Sequence, residues 1–181
     1  PVLVDITKDA QQGKADFHYP QTVHLPGLHE PEPPDEASLA RAVELVDKAE
    51  RPLILAGAGV MRSGASAALR AFAEKTGTPV ALTLLGIGSF PQSHPLCLGM
   101  MGMHGEAFVN QAIQRADLLL AFGMRFDDRV TGNLKNYAPG ARKVHVEIDA
   151  SEIGKNVPVD VGIVGDLREV LEALLPLSPV K

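Results

Sequence analysis

The sequence predicts an α/β fold, a mostly parallel sheet with helices on both faces, and three observations carry that expectation. The apolar run Leu118-Leu-Leu-Ala-Phe122 breaks at Gly123, the pattern of a strand buried on both faces. From Leu53 onward, strand-like and helix-like segments alternate, and each parallel pairing needs such a crossover. The composition, 45% hydrophobic with 4% aromatics, no Trp and 17 Gly, suits a compact domain rich in tight turns.

At 181 residues the chain is long enough for one well-buried domain. It opens at Pro1 with no initiator Met and no signal sequence, so it is expected to be a piece of a longer protein. A net charge of −5 argues against nucleic acid or an anionic membrane surface as partner, because either needs a basic patch. No apolar run approaches a membrane span. Small molecules and other subunits remain as partners. The single Cys97 has no companion for a disulfide or a thiolate metal site, which fits a reducing, cytoplasmic setting, and it reads as a small buried hydrophobe.

Pro1-Val-Leu-Val-Asp-Ile-Thr7 reads as a strand left over from a preceding unit, and residues 8–34, with Pro20, Pro26, Pro31, Pro33 and Pro34, as an extended linker. The domain of interest then spans 35–181. Asp35 caps a helix to about Ala49, with Leu39, Ala42, Val43 and Val46 on one face. Leu53 to Ala56 is a buried strand, and a helix from about Gly64 carries Ala65, Leu69, Phe72 and Ala73 inward and ends at Gly77. Pro79 to Thr83 is a second strand. A Gly- and Pro-rich loop then continues to Gly105, and a helix over Glu106 to Arg115 is marked by Phe108, Val109, Ala112 and Ile113. In Lys143 to Asp149, Val144, Val146 and Ile148 alternate with His145, Glu147 and Asp149, which predicts a strand with one apolar and one polar face. Asp149 caps a one-turn helix over Ser151 to Gly154. Val159 to Val164 is a last strand, and Asp166 caps a final helix with Val170, Leu171, Leu174 and Leu175 inward.

Parallel sheets place ligands at the C-terminal ends of their strands, so the chemistry belongs on the loops. Gly57-Ala-Gly59 is a tight turn that either admits an anion to backbone N–H groups or simply lets helix and strand pack; Arg62 stands where a dinucleotide fingerprint wants its third Gly. Arg125, Asp127, Asp128 and Arg129 either grip a polar ligand or lock the loop against itself. Glu147, at a strand end, is placed to accept ribose hydroxyls, and Asp166 combines a cap with a possible ligand contact. His104, between Gly102 and Gly105, sits on a bare loop. The six His show no zinc spacing, and no Ser or Cys sits in a nucleophile elbow, so no catalytic and no metal residue is assigned.

Gly123-Met-Arg-Phe-Asp-Asp-Arg-Val-Thr-Gly132 resembles the acetolactate synthase (acetohydroxyacid synthase) large-subunit family. Thr83-Leu-Leu-Gly86, Gly99-Met-Met-Gly-Met-His-Gly105, Ala116-Asp-Leu-Leu-Leu-Ala-Phe-Gly123 and Val146-Glu-Ile-Asp-Ala-Ser-Glu-Ile-Gly-Lys-Asn156 reinforce it in the family's order. The resemblance implies a six-stranded, Rossmann-like central domain, similar to the deoxyhypusine-synthase-like NAD/FAD-binding domains, that holds an FAD with no net redox role. It implies that Gly57, Ala58 and Gly59, then Thr83 and Leu84, then Met101, Gly102, Met103 and His104, then Gly123, Met124, Arg125, Phe126 and Asp127 line that FAD. Glu147 and Ile148 would meet the adenosine end, with Asp166 and Leu167 close by, and Asp128 and Arg129 would line the route to a thiamine site. His24 stands where many members place an FAD-contacting Arg. The family's catalytic Glu and its magnesium- and diphosphate-binding motif fall outside these residues, and Pro1 to Asp9 resemble the tail of a pyrimidine-binding domain, with the rest of 1–34 as the linker that follows it. By the same resemblance, the intact enzyme decarboxylates pyruvate on thiamine diphosphate with magnesium and joins the remaining two-carbon unit to a second 2-oxo acid. It works as a homo-oligomer with a regulatory small subunit. Another thiamine-diphosphate carboligase, such as glyoxylate carboligase, and a stand-alone nucleotide-binding module remain open.

Overall fold

The structure, a computed structural model, describes residues 3–23 and 33–181. They fall into two units, Pro1–Glu30 and Pro31–Lys181. In the first, residues 3–7 form no strand, and among its described residues the only regular element is the short, exposed helix α1, Lys8–Gln12. The expected opening strand is therefore corrected. Its apolar side chains Leu3, Val4 and Ile6 are exposed, and a strand without a pairing edge or a core to cover has nothing to hold it. The expected linker contains α1, and its residues 24–32, His24 among them, lie outside the described residues.

The second unit is built on one sheet with strand order β3-β2-β1-β4-β5-β6, every pairing parallel. The strands are β1 (Pro52–Ala56), β2 (Val80–Leu82), β3 (Cys97–Met100), β4 (Leu118–Phe122), β5 (Arg142–Glu147) and β6 (Val161–Val164). The predicted strands are all present, shifted by a residue or two. The exception is β3, a half-buried edge strand that Gly99 and Pro95 disguised as loop. Cys97 lies on it, half-buried rather than fully enclosed. Order reverses at β1, which pairs with β2 on one side and β4 on the other, making this the topological switch point.

Alternation along the central strands feeds two cores. Ile54, Ala56, Leu118, Leu120, Phe122, Val144 and Val146 face the helices α2 (Glu36–Lys48), α4 (Ser66–Thr76) and α7 (Leu167–Leu177). These helices carry the apolar stripes the sequence predicted, with Asp35 and Asp166 capping α2 and α7 and Gly77 ending α4 at φ 61°. A five-residue helix, α3 (Ala58–Arg62), was not foreseen between β1 and α4.

The opposite face holds Leu53, Leu55, Leu119 and Ala121 and has only one long helix, α5 (Ala107–Arg115). Phe108 of α5 is exposed; Val109 and Ile113 pack inward. The rest of this face is covered by the crossover from β4 to β5, whose buried Met124, Phe126, Tyr137 and Ala138 stand in for a second helix. Within it lie only the one-turn helix α6 (Asp128–Thr131) and a single 3-10 turn. Lys143 stitches this cover to β5, its Nζ donating to the carbonyls of Ala138 at 3.1 Å and Ala141 at 2.8 Å. Ala138 is held at φ 40°, a strained conformation for a residue with a Cβ, between that bond and its own N–H to Gln114 Oε1.

The crossover explains a correction. The strict alternation in β5 placed His145 on a polar face, yet His145 is completely buried, because the crossover lies over it. Ile148, expected inward, is exposed, since β5 ends at Glu147.

The turn after β1 lies against the turn after β4. Gly57 N–H donates to Phe122 O at 3.0 Å and Gly59 N–H to Gly123 O at 2.9 Å. A Cβ at Gly57 would overlap the Gly123 carbonyl and the Met124 side chain. Gly57→Ala is expected to lower stability by about 1–3 kcal/mol, the usual cost of forcing a methyl group into a filled site, read as a drop in the urea midpoint at unchanged slope.

Candidate functional site

Pairing continues just past each strand and fixes where the loops begin. Thr83 N–H donates to Ala56 O, Met101 N–H to Leu82 O, Gly123 N–H to Val146 O and Gly165 N–H to Glu147 O, at 2.9–3.1 Å. Asn110 of α5 clasps Gly102 from both sides, Oδ1 accepting from its N–H and Nδ2 donating to its carbonyl, each at 2.9 Å. Met103 N–H donates to Arg129 O at 2.8 Å, which ties the loop after β3 to the one after β4. Above these loop starts lies a cavity of about 910 Å³ that takes lining residues from beyond the end of every strand of the sheet.

Fifteen of the sequence-selected positions line it. They are Ala58 and Gly59 after β1, Thr83 and Leu84 after β2, Met101, Met103 and His104 after β3, Gly123, Met124, Arg125 and Asp127 after β4, Glu147 and Ile148 at β5, and Asp166 and Leu167 after β6. Three do not. Gly57 is buried against Gly123, Gly102 is enclosed by Asn110 and the Arg129 carbonyl, and Phe126 turns inward to stack edge-on against Tyr137 and His145. Arg62, Leu85, Asp149 and Glu152 also line the cavity and were not selected. The turn signal at Gly57 pointed toward Arg62, but α3, which carries that arginine to the cavity, left no periodic trace in five residues.

Strand order arranges these residues by chemistry. At β5 and β6 the lining is acidic, with Glu147, Asp149, Glu152 and Asp166. At β1 and β4 the cations Arg62, Arg125 and Arg129 outnumber the one carboxylate, Asp127. At β2 and β3 the lining is mostly apolar, with Leu84, Leu85, Met101 and Met103. Five interstrand steps of about 4.8 Å make the cavity roughly 24 Å long, enough for an extended ligand with a different group at each end. Several acids also serve the fold. Asp166 Oδ1 caps α7, Glu147 Oε1 accepts from Ile148 N–H, and Asp149 accepts from Ser151, whose hydrogen bonds hold that carboxyl below its ordinary range.

The charged loop after β4 is not locked upon itself. Arg125 and Asp127 approach only to 4.0 Å and Arg129 and Asp128 to 3.8 Å, in pairs that are largely exposed, so each is worth at most about 1 kcal/mol. Asp127 caps α6 through Oδ1 and Val130 N–H. Asp128 lines a separate, smaller cavity of about 270 Å³ between α5 and α6, and Arg129 borders both.

Beneath the loop, His145 Nε2 lies 2.8 Å from Met124 O, and Asn156 Nδ2 donates to Phe126 O at 2.8 Å. Two buried polar atoms here lack partners among the described residues, Tyr137 Oη and His145 Nδ1. Burial pushes the Tyr137 phenol up and the His145 imidazole down, the latter opposed by the Met124 hydrogen bond and the charges of Glu147 and Glu152. No group of three His, Cys, Asp or Glu able to hold a metal occurs among the described residues, and no described helix is long and apolar enough to cross a membrane.

A parallel sheet of order 3-2-1-4-5-6 with a cavity along its carboxyl edge places the chain in the doubly wound α/β class. Within that class the family model "Thiamine pyrophosphate enzyme, central domain" matches residues 39–174, and the chain belongs to this family. It is 50% identical to the acetolactate synthase large subunit of Corynebacterium glutamicum, over 97% of this chain and 28% of that protein. To the acetolactate synthase large subunit of Parasynechococcus marenigrum it is 47% identical, over 98% of this chain and 29% of the relative. To acetolactate synthase 3, chloroplastic, of Brassica napus it is 46% identical, over 96% and 27%. A solved Mycobacterium smegmatis structure described as a thiamin diphosphate-dependent enzyme superposes with a TM-score of 0.70 at 29% identity, over 87% of this chain and 30% of that one. The chain thus spans under a third of the length of these relatives.

Two stability outcomes follow from the buried polar atoms. Tyr137→Phe removes an unpaired hydroxyl and is expected to raise stability by about 1 kcal/mol in chemical denaturation. Because folded His145 titrates below its ordinary 6.5, the unfolded chain takes up the proton first. Stability is therefore full above that value and declines as pH falls below it. A urea series from pH 7.5 to 5 is expected to show the decline, reduced in His145→Gln.

Proposed function

We propose that residues 35–181 are the FAD-binding central domain of an acetolactate synthase large subunit, and that residues 1–34 are the end of a pyrimidine-binding domain with its linker. The observation that carries this reading is the order of chemistries along the groove. The acids at β5 and β6 suit the hydroxyls of an adenosine ribose. The arginines at the switch point suit a diphosphate, for which guanidinium groups offer paired donors. The leucine and methionine surface at β2 and β3 suits the face of a flat tricyclic ring. The cavity volume falls within the usual range for ligand sites.

FAD in this role supplies shape and charge at the site without net redox turnover. The chain's own part is to bind and orient: Arg125 and Arg62 hold the diphosphate, Glu147 and Asp166 fix the ribose, and Leu84, Leu85 and Met103 exclude water from the ring. Thiamine diphosphate and magnesium are held by domains outside this chain, where the full-length protein condenses pyruvate with a second 2-oxo acid. The working form is a cytoplasmic homo-oligomer joined by a regulatory small subunit. Asp128 and Arg129, at the border of the two cavities, face the route toward the thiamine site.

Titrating the chain with FAD is expected to quench flavin fluorescence and raise the melting temperature. Arg125→Ala is expected to weaken binding about ten- to a hundredfold, in line with a lost charge-assisted bond of roughly 1.5–3 kcal/mol. NADP⁺ is expected to compete less well than NAD⁺, since its ribose phosphate would meet four carboxylates. Wild-type affinity in both Arg125→Ala and Glu147→Ala would sink the site assignment.

A further inference from the structure

His145 is fully buried, on the face of β5 that the β4–β5 crossover covers. Its Nε2 lies 2.8 Å from the Met124 carbonyl, which can only accept, so Nε2 bears the proton and the neutral ring leaves Nδ1 as a bare acceptor. That Nδ1 is buried with no partner among the described residues. The ring also packs edge-on against Phe126, with centroids 5.1 Å apart. Met124 and Phe126 are buried while Arg125 and Asp127, between and after them, reach the cavity. The Met124 and Phe126 carbonyls are thus held from below, by His145 and Asn156, at the two points that set how Arg125 is presented.

We propose that His145 is a positioning residue for the cavity: as a neutral Nε2–H donor to Met124 it holds the loop that presents Arg125 and Asp127, and because the buried Nδ1 has no acceptor among the described residues for a second N–H, acid favours arrangements in which the loop has lifted off the ring. The role in FAD affinity rests on the function proposed above. A charged ring here would carry an N–H with no acceptor inside a filled core. The groups facing it do not remove that penalty. Glu147, two residues along β5, already accepts from Ile148 N–H, and Glu152, on the turn after the strand, is bound to Lys155 at 2.7 Å. Lys143, two residues back, is a cation fixed on the Ala138 and Ala141 carbonyls. Tyr137 packs edge-on against Phe126, and Asn156 is neutral. The unpartnered Nδ1 thereby makes a proton-sensitive hinge point directly under the charged loop.

The test compares wild type, His145→Gln and His145→Leu between pH 7.5 and 5.5. Gln can donate to the Met124 carbonyl but cannot titrate. Wild-type FAD affinity is expected to fall at least fivefold toward pH 5.5. His145→Gln is expected to stay within about twofold of wild type at pH 7.5 and across the range. His145→Leu is expected to be about fivefold weaker throughout, with its far-ultraviolet spectrum unchanged. In nitrogen-edited NMR, the imidazole should report an Nε2–H tautomer, and the amide signals of residues 124–127 should shift with its titration. Acid loss that persists undiminished in His145→Gln, wild-type affinity in folded His145→Leu, or amide signals indifferent to the imidazole would each overturn the proposal. Absence of FAD binding in wild type at every pH would instead overturn the function proposed above, and the tautomer and amide signals would still decide the role of His145. If His145→Leu does not fold, His145→Gln and the NMR titration decide it.

Discussion

The structure depends on one close approach, the backbone hydrogen bond from Gly59 to Gly123 that brings the turn after β1 against the turn after β4. A side chain on either glycine would fall onto the other's backbone, and Gly123 adopts φ 58° to make the turn. Parallel strands can be paired without their exits touching. Here the exits touch, and the crevice at the switch point is closed at its base by main chain alone. Backbone can then approach a ligand where side chains would otherwise stand, and the charged residues that follow Gly123 begin their loop from a fixed point.

The β4–β5 crossover carries a second constraint. In most βαβ units a helix covers the sheet and the loop is left free for chemistry. In this chain the stretch from Met124 to Ala141 does both. Met124, Phe126, Tyr137 and Ala138 cover the face, while Arg125, Asp127 and Arg129 reach the cavity. Irregular chain used as cover must satisfy its own polar groups, which accounts for the buried Lys143 and His145 and for Gln114 and Asn156 at its margin, each bonded to a crossover main-chain group. It also leaves strain at Ala138 and two polar atoms unpaired. Cover and site being one segment, a disturbance below the loop is transmitted to the charges above it.

Much of this was legible in the residues, and the failures have physical reasons. The buried strands and the caps at Asp35, Asp149 and Asp166 follow from local rules that tertiary context did not override. Strand-end logic alone selected Ala58, Gly59, His104, Arg125, Asp127, Glu147 and Asp166 of the cavity wall, because in a parallel sheet the C-terminal ends converge by construction, and the family resemblance supplied Thr83, Leu84, Met101, Met103, Gly123, Met124, Ile148 and Leu167. β3 escaped because an edge strand needs no apolar pattern, and α3 because a single turn has no period. His145 escaped because alternation tells which side of a strand a residue takes, not what lies over that side. Phe126 was selected as part of the family-like decapeptide Gly123 to Gly132, whereas its side chain alternates inward between two that face out.

The groove's reach across every strand end has a thermodynamic meaning. A molecule lying in it touches segments from Ala58 to Leu167 and so spans the sheet at right angles to its strands. Unfolding any one strand would disrupt its contacts, so occupancy opposes global unfolding as well as loop fraying. By mass action, a ligand at a hundredfold excess over its Kd adds about 2.7 kcal/mol to stability. For a domain of this size that is a sizeable share of the whole, and it makes the filled and empty forms differ in lifetime against proteolysis. Saturation of the groove thereby becomes a form of quality control, in which copies that have failed to acquire the ligand are the ones that open first.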